Sequence, residues 1–525
     1  MVHSRLYGSI ALVALALAAL GACSRSPAAP AQRAAAPAAP AANVEWTRFV
    51  DEFIEAHFVA QPAVAVTKGR HEFDGQLPDW TAAGIQKEIA RLEQARARAM
   101  TFQDGALSRA ERFQRDYFVA YIDSNLFYTR DARMPFTNPM WYFWFGLDPN
   151  AYVSVPYAPA EQRLRAFVKY LQQIPAVTQT IKANLRTPLP PTFLTYGEKS
   201  FAGFAPFYRN DAPQAFAEVQ DAQLKSELNA AIEPAAQAMQ DLSQWFRNQK
   251  PGGNEAYVLG PELFAKMLRM NELVTTPLDQ LEAIGRADLE RNLAALKEQC
   301  ERYAPQARIE SCIAKMSADK PQGGAVAGAR QQLAQLRRYV VDHDVVSIPG
   351  EEEALVMEAP AYRRQNSASI DIPGPYEKNL PSVYRIAPPD PTWSKADQDA
   401  YTQGQADLLF TSVHEVWPGH FLQFLHSNRA SWRFGQLFVG YAFAEGWAHY
   451  SEELMIEKGL AQDAPERHIG QLLKALLRNV RYMCAIGLHT QGMTVAQCEQ
   501  MFKEKGYLDP GNARQQAARG TYDPG

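Results

Sequence analysis

The hydrophobic pattern of the chain is mainly that of amphipathic helices. Apolar residues recur at three- and four-residue spacing, as at Leu278 and Leu281, which is the period of one helical face. Ser394 and Asp397 form a favourable N-terminal cap for a helix over 396–409. The longest stretches with this pattern are 46–58, 80–102, 160–185, 214–249 and 277–303.

The sequence predicts few strands. The clearest one is Ser382–Ile386, which carries Tyr384 at its centre and is bounded by Pro381 and Pro388. Because proline cannot donate a ladder hydrogen bond, prolines on both sides predict an edge strand or a short hairpin. The chain has no regular strand–helix alternation, no glycine-rich phosphate loop and no GxSxG motif. The predicted fold class is therefore all-α with a small β element.

Composition and charge exclude several classes of protein. The 525 residues are 47% hydrophobic, with 53 Lys and Arg against 57 Asp and Glu and a net charge of −4. This apolar fraction supplies a large core and excludes a wholly disordered chain. The slightly acidic balance lacks the basic footprint of a nucleic-acid-binding protein. The one long apolar run is at the N-terminus, so a polytopic membrane protein is excluded as well.

The N-terminus resembles a bacterial lipoprotein signal. Residues 1–22 contain an apolar run over 10–20, too short to span a bilayer, and end in Leu-Gly-Ala before Cys23. We predict cleavage before Cys23, lipidation of this residue and attachment to the cell envelope, facing the periplasm, through the lipid alone. Ser24 favours the outer membrane by resemblance to sorting signals. Residues 23–43, rich in Ala and Pro, read as a tether to a domain over 44–525. The alternative is an ordinary secretory signal.

Four cysteines remain in the mature chain, an even number for an oxidising compartment. The economical expectation pairs the cysteines closest in sequence, Cys300 with Cys312 and Cys484 with Cys498. Three connectivities exist for four cysteines, and all four can instead be free thiols. None lies in a CxxC motif or a Cys/His cluster, which argues against a cysteine-based metal site.

One group of residues carries metal chemistry. His414-Glu415 is followed by a second histidine at His420, and Glu445 stands 25 residues further on, within Ala-Glu-Gly-Trp-Ala-His. Two neutral imidazoles and one carboxylate are a common protein ligand set for catalytic zinc, which keeps one position open for water. The sequence therefore predicts a Zn²⁺ site.

The six-residue spacing of the histidines needs an interrupted helix. On a regular helix, six residues rotate a side chain by about 240°, so His420 would point away from His414. Pro418 and Gly419 between them disfavour a regular helix. We expect a bulge there that returns His420 to the side of His414. The alternative is that Pro-Gly only ends a helix and that the His-Glu pair has no metal.

These motifs resemble those of the bacterial metallopeptidase-like domain-of-unknown-function family 885. The resemblance rests on HEVWPGHFLQ, starting at His414, and on AEGWAHYSEEL, starting at Ala444. It extends to DGQLPDW at 74–80, to Arg481 with Gly-Leu-His ending at His489, and to ARQQAARGTYDPG at 513–525. The resemblance implies a two-lobed, gluzincin-like helical fold with a substrate channel between the lobes and the β element near the active site.

The resemblance also implies roles for residues. His414, His420 and Glu445 would bind zinc, and Glu415 would act as general base on a water molecule during cleavage of short peptides. Arg481 and His489 are candidates for a second donor to the carbonyl oxygen, and a structural role for Arg481 is an alternative.

Several neighbours of the motif are predicted to support it. His449, one turn after Glu445, and Gln423, after His420, are candidates for holding the metal ligands in place by hydrogen bonds. We expect Glu452 and the residue after it to lie on a solvated face. The strand at Tyr384 is a candidate substrate groove, because an extended peptide can pair with an exposed strand. The aromatic run 141–145 is a further candidate for lining a channel, with burial in the core as the alternative.

The sequence departs from the family pattern at Ala485, where an Asp is expected. The resemblance further implies a tyrosine-rich segment after Gly525, so we expect the domain to be truncated at its C-terminus. The alternative function is a catalytically impaired, peptide-binding lipoprotein that retains the metal site. Endopeptidase or exopeptidase action, side-chain preference and oligomeric state have no signal in the sequence.

Overall fold

The predicted helical period is realised along most of the chain. The protein is described by a computed structural model that covers residues 43–364 and 367–524. The leader, Cys23 and the tether as far as residue 42 lie outside the described residues. The α-helices, in chain order, are α1 Val44–Ala60, α2 Pro62–Thr67, α3 Ala82–Ala99, α4 Arg109–Leu126, α5 Met134–Thr137, α6 Met140–Tyr142, α7 Asn150–Ser154, α8 Ala160–Asn184, α9 Pro191–Pro206, α10 Ala212–Ala215, α11 Ala222–Arg247, α12 Pro261–Asn271, α13 Leu278–Tyr303, α14 Ile309–Ala318, α15 Gly324–Asp342, α16 Lys395–Tyr401, α17 Gln405–Glu415, α18 His420–Ser427, α19 Arg433–Leu437, α20 Tyr441–Glu457, α21 Pro465–Thr490, α22 Val495–Glu504 and α23 Pro510–Tyr522.

Four of the five long predicted helices correspond to α1, α3, α8 and α13. The fifth was predicted over 214–249, and its first part is wrong. In the structure α11 begins at Ala222, because the side chain of Asp221 caps it by accepting a hydrogen bond from Leu224 N at 3.0 Å. The preceding residues belong to the short helix α10 and a turn.

The helix predicted over 396–409 is divided into α16 and α17. Its cap is confirmed, since Ser394 Oγ accepts a hydrogen bond from Asp397 N at 3.1 Å. The helix then stops at Tyr401, because Thr402 and Gly404 have extended backbone conformations. His414 and Glu415 therefore stand on a separate helix, α17.

The β element is a three-stranded sheet of β1 Ala354–Glu358, β2 Ala368–Asp371 and β3 Ser382–Ile386. β3 lies in the middle, parallel to β1 and antiparallel to β2. The prediction of Ser382–Ile386 as an edge strand or short hairpin is therefore wrong, and all five of its residues are buried. The flanking prolines are compatible with this position because they lie outside the paired residues.

Both sequence-local cysteine pairs are confirmed as disulfides. Cys300 on α13 bonds Cys312 on α14, and Cys484 on α21 bonds Cys498 on α22. Each bond links consecutive helices, with Cα–Cα distances of 5.7 and 5.6 Å.

The long helices pack in groups around apolar clusters. α8, α9 and α11 surround the largest cluster, which contains Phe167, Phe204 and Phe246. α21 packs against both α13 and α17. The contact with α17 needs a glycine at Gly470, because a Cβ there would lie 2.5 Å from the carbonyl oxygen of Ala406. Within the described residues, no helix combines the length and apolar character needed to cross a membrane.

Candidate metal centre

His414, His420 and Glu445 come together from three helices. They are the penultimate residue of α17, the first residue of α18 and the fifth residue of α20. His414 Nε2 lies 3.6 Å from Glu445 Oε2, and His420 Nε2 lies 3.6 Å from Glu445 Oε1. Across residues 43–364 and 367–524, they are the one group of three potential metal ligands whose donor atoms lie within 4.8 Å of one another.

The helix interruption between the histidines creates this arrangement. α17 ends at Glu415, and α18 begins only at His420. Gly419 N donates to Val413 O at 3.0 Å, six residues back rather than four. A Cβ at Gly419 would lie 1.8 Å from the carbonyl oxygen of His414, so this position requires glycine. The two imidazole rings are thereby 4.7 Å apart between centroids and nearly perpendicular, which agrees with the arrangement expected from the Pro-Gly sequence.

The donor set fits a zinc ion. Both Nε2–oxygen separations of 3.6 Å are too long for good hydrogen bonds. They are close to the separation of about 3.4 Å between neighbouring ligands in a tetrahedral site with bonds near 2.1 Å. Although burial opposes its charge, the two histidines lower the pKa of Glu445 to about 2. The carboxylate is thus held ionised, in the form that binds metal.

A buried carboxylate behind the cluster orients one of its two histidines. His414 Nδ1–H donates to Glu452 Oε1 at 2.8 Å, and Arg478 Nη2 lies 3.3 Å from the same oxygen. Glu452 is completely buried, so the prediction that it belongs to a solvated face is wrong. The hydrogen bond fixes the proton on Nδ1 and leaves Nε2 available for a metal, as in carboxylate–histidine–zinc triads.

Glu415 lies beside the cluster without belonging to it. Its side chain is buried, and burial raises the pKa of its carboxyl to about 7. The charge of Glu415 acts on Tyr384, a buried residue of β3 whose pKa is raised above its ordinary value, mainly by burial. A carboxyl that titrates near neutrality suits a group that must accept and return a proton.

The cluster opens onto a cavity of about 1040 Å³. It is lined by residues of α4, such as Tyr121, by Tyr128 just after α4, by β2, by the start of α20 and by one face of α21. Of the aromatic run 141–145, Trp144 and Phe145 line this cavity, whereas Trp141 is buried in the core.

The structure places the predicted catalytic donors differently. Arg481 lines the cavity. His489 does not line it, and the prediction of His489 as a donor to the carbonyl oxygen is wrong, because its Nε2 is bound to Gly520 O at 2.7 Å and Leu259 N donates to its Nδ1 at 3.4 Å. With both ring nitrogens engaged by backbone, His489 joins α21 to its neighbours.

The other predicted residues also have defined positions. Tyr384 is buried in the central strand away from the cavity surface, so its prediction as a substrate-groove residue is wrong, and the strand that lines the cavity is β2. His449 Nδ1 lies 3.6 Å from Glu452 Oε2, so it adjoins the carboxylate behind the cluster. Gln423 Nε2 donates to Ser427 Oγ at 2.6 Å within α18.

Two residues at the site escape prediction from the sequence, Glu452 and Arg478. The sequence could have indicated Glu452, because it follows Glu445 by seven residues and so lies on the same helical face. For Arg478 the only signal was its position three residues before Arg481, because its contact with Glu452 joins α21 to the preceding helix α20, which no local pattern reveals.

The described residues thus define a mostly helical protein in which two histidines and a glutamate meet at a large cavity. The chain belongs to the family described as bacterial protein of unknown function, DUF885, whose model matches residues 62–525.

Two solved structures are similar to this chain. A "putative lipoprotein of unknown function" from Shewanella oneidensis is 20% identical with a TM-score of 0.70. A "putative lipoprotein" from Colwellia psychrerythraea is 16% identical with a TM-score of 0.73. Each match covers 91% of this chain and 89% of the other, and at these identities the likeness shows the fold alone. No curated protein matches the chain.

Proposed function

We propose that this protein is a zinc-dependent peptidase of the cell envelope that hydrolyses peptide bonds in short peptides. The observation that supports this most is the convergence of His414, His420 and Glu445 at the wall of a large cavity, with Glu415 beside them. A ligand set with two histidines and one carboxylate is typical of zinc hydrolases.

In the proposed mechanism, the zinc ion and the side chains around it have separate roles. A zinc ion held by the three ligands would activate water and polarise the scissile carbonyl as a Lewis acid. Glu415 accepts the proton of the attacking water and returns it to the leaving amine. Glu452 holds His414 in the required tautomer from behind.

Short peptides suit the cavity next to these residues. β2 lines it and, within the described residues, is paired with β3 on one edge alone. An extended peptide can add to the other edge by backbone hydrogen bonds, the role predicted earlier for the strand at Tyr384. Tyr441 and Phe443, more than half exposed, offer apolar surface to peptide side chains near Glu445.

The location follows from the proposed lipid anchor. Lipidation of Cys23 would attach the protein to the envelope, and Ser24 favours its outer membrane. Two disulfides suit the oxidising periplasm. The two similar solved structures, from Shewanella oneidensis and Colwellia psychrerythraea, are each described as a "putative lipoprotein".

Replacement of Glu415 by Gln tests the proposal. The carboxamide keeps the shape and removes the base, so turnover of a short-peptide library should fall about 10²–10⁴-fold while bound zinc is unchanged. Glu453→Gln is the matched control, because Glu453 is half exposed on α20 and its carboxylate lies 3.4 Å from Arg291 Nη1.

A chelator should abolish wild-type turnover, and added zinc should restore it. Equal turnover by Glu415→Gln and wild type would contradict the mechanism. Wild-type protein that binds zinc and peptides yet cleaves none of them would instead favour the peptide-binding lipoprotein.

A further inference from the structure

The cavity wall formed by α21 carries three cations on one helical face. Lys474, Arg478 and Arg481 are spaced by four and three residues, and all three line the cavity. Lys474 Nζ pairs with Asp407 Oδ1 at 2.6 Å, and Arg478 Nη2 lies 3.3 Å from Glu452 Oε1. Two of the three charges are therefore neutralised by carboxylates of the protein.

Arg481 lacks such a partner. Within residues 43–364 and 367–524, no carboxylate is at ion-pair distance from its guanidinium. Its Nε donates a hydrogen bond to Gln516 Oε1 at 2.6 Å. One turn away on α21 stand the apolar residues Leu477 and Ala485. The Gln516 contact holds the guanidinium by Nε and leaves both Nη groups for another acceptor.

The surroundings of Arg481 make an anion favourable there. Burial, with Arg519 and Arg478 nearby, lowers the pKa of Arg481 to about 9. Arg519 itself pairs with Asp523 at 2.7 Å. An unpaired guanidinium removed from water is costly, and a planar carboxylate that accepts two parallel hydrogen bonds offsets that cost best.

We propose that Arg481 binds a carboxylate of the substrate, and specifically the free C-terminal carboxylate of a short peptide. Arg481 and Glu445 both line the cavity, so this anchor lies in the same cavity as the proposed metal centre. A peptide held there by its C-terminus has its last peptide bonds near Glu415, and cleavage falls close to the C-terminal end. The predicted cleavage near the C-terminus rests on the proposed peptidase function, whereas the predicted binding of the carboxylate rests on Arg481 alone.

Binding of matched peptides to the catalytically impaired Glu415→Gln protein tests the anchor without turnover. The probes are the tetrapeptide Ala-Ala-Phe-Ala as free acid, the same peptide as C-terminal amide, and Ala-Glu-Phe-Ala amide, which carries a side-chain carboxylate only. The free acid should bind about 10- to 100-fold more tightly than either amide, as measured by calorimetry, because one charge-assisted contact is lost in the amides.

Adding Arg481→Gln should remove this preference, and Arg481→Lys should keep part of it. The matched control is Arg514→Gln, the same substitution at an exposed arginine of α23, which should keep the full preference. Thermal unfolding of each variant shows whether it is folded, and the Arg481→Lys protein keeps the test decisive if the Gln variant is not.

Every other outcome has a definite meaning. Equal binding of acid and amide, no binding of either, or equal binding of acid and Ala-Glu-Phe-Ala amide would overturn the C-terminal anchor. Loss of the preference in Lys68→Gln rather than in Arg481→Gln would overturn it as well, because Lys68 also lines the cavity and has no carboxylate partner among the described residues. A preference that depends on Arg481, in a protein whose wild type cleaves nothing, would refute the peptidase and retain the anchor.

Discussion

Two of the clusters among the described residues that combine histidine with carboxylates differ in what binds the imidazole nitrogens. In one, His71 lies between two acids, with Nδ1 2.9 Å from Asp74 Oδ1 and Nε2 2.7 Å from Glu377 Oε1. In the other, His414 and His420 each place Nε2 3.6 Å from an oxygen of Glu445. The first set of distances describes direct hydrogen bonds, and the second leaves room for an ion between the groups.

The difference shows that residue types alone do not identify a metal site. Both ring nitrogens of His71 are hydrogen-bonded to carboxylates. Its ring is stacked on Tyr157, with the ring centroids 3.5 Å apart. At the second cluster one nitrogen of His414 is bound from behind by Glu452, and the other faces the cavity side. A histidine with one engaged and one available nitrogen is prepared for a metal, whereas one with two engaged nitrogens is a structural bridge.

Removal of a ligand histidine should separate the two clusters most strongly. His420→Ala removes one of three proposed protein ligands, so we expect almost complete loss of zinc from a protein that otherwise binds about one ion per chain. His71→Ala should keep its zinc, as should His426→Ala, an exposed histidine of α18 bound to Ser347 O. Metal analysis after dialysis checks this, and zinc retained by His420→Ala at the wild-type level would contradict the assignment.

The site motif was predictable because its chemistry is local in sequence. Pro418 and Gly419 signalled an interruption, and the structure has one, with the carbonyl of His414 occupying the space of a Cβ at Gly419. The helical period likewise predicted α1, α3, α8 and α13, since that period depends only on which face of a helix is buried.

The errors concern contacts between residues distant along the chain. The central position of β3 in its sheet depends on β1 and β2. No sequence pattern as clear as that of Ser382–Ile386 predicts those two strands. His489 belongs to a family motif, yet its ring bonds Gly520 O on α23, which no local pattern reveals. Glu452 looked like one acid of an exposed pair, and its burial depends on Arg478 from another helix.

Replacement of Glu452 tests whether the carboxylate behind His414 tunes the metal site. Glu452→Gln keeps a hydrogen-bond acceptor but loses the charge. Because removing a hydrogen-bond partner of a metal-binding histidine weakens metal binding about 10- to 100-fold, we expect a loss of zinc affinity of this size. Competition with a chromophoric chelator measures the effect. Glu453→Gln, at the next and half-exposed position, should bind zinc as wild type does. Equal affinities of the two variants would show that Glu452 is structural only.

The smallest expected effect concerns His71 and the pH dependence of stability. Although burial opposes its charge, hydrogen bonds with Asp74 and Glu377 raise the pKa of His71 to about 9, against 6.5 for an ordinary histidine. Because the folded-state pKa is the higher one, the folded protein binds the extra proton more tightly. The stabilisation is therefore complete below pH 6.5 and is lost as the pH rises from 6.5 through 9.

His71→Gln should remove this contribution, which we expect to be about 2 kcal/mol at pH 6. The free energy of unfolding of wild type and variant, from denaturant titrations at pH 6, 7.5 and 9.5, should differ most at the lowest pH and converge at the highest. His343→Gln controls for loss of an imidazole, since His343 is exposed and hydrogen-bonded within its own helix end. A constant difference across this range would mean that His71 stabilises the fold by packing on Tyr157 and not as a charged bridge, and it would remove the electrostatic contrast between the two clusters.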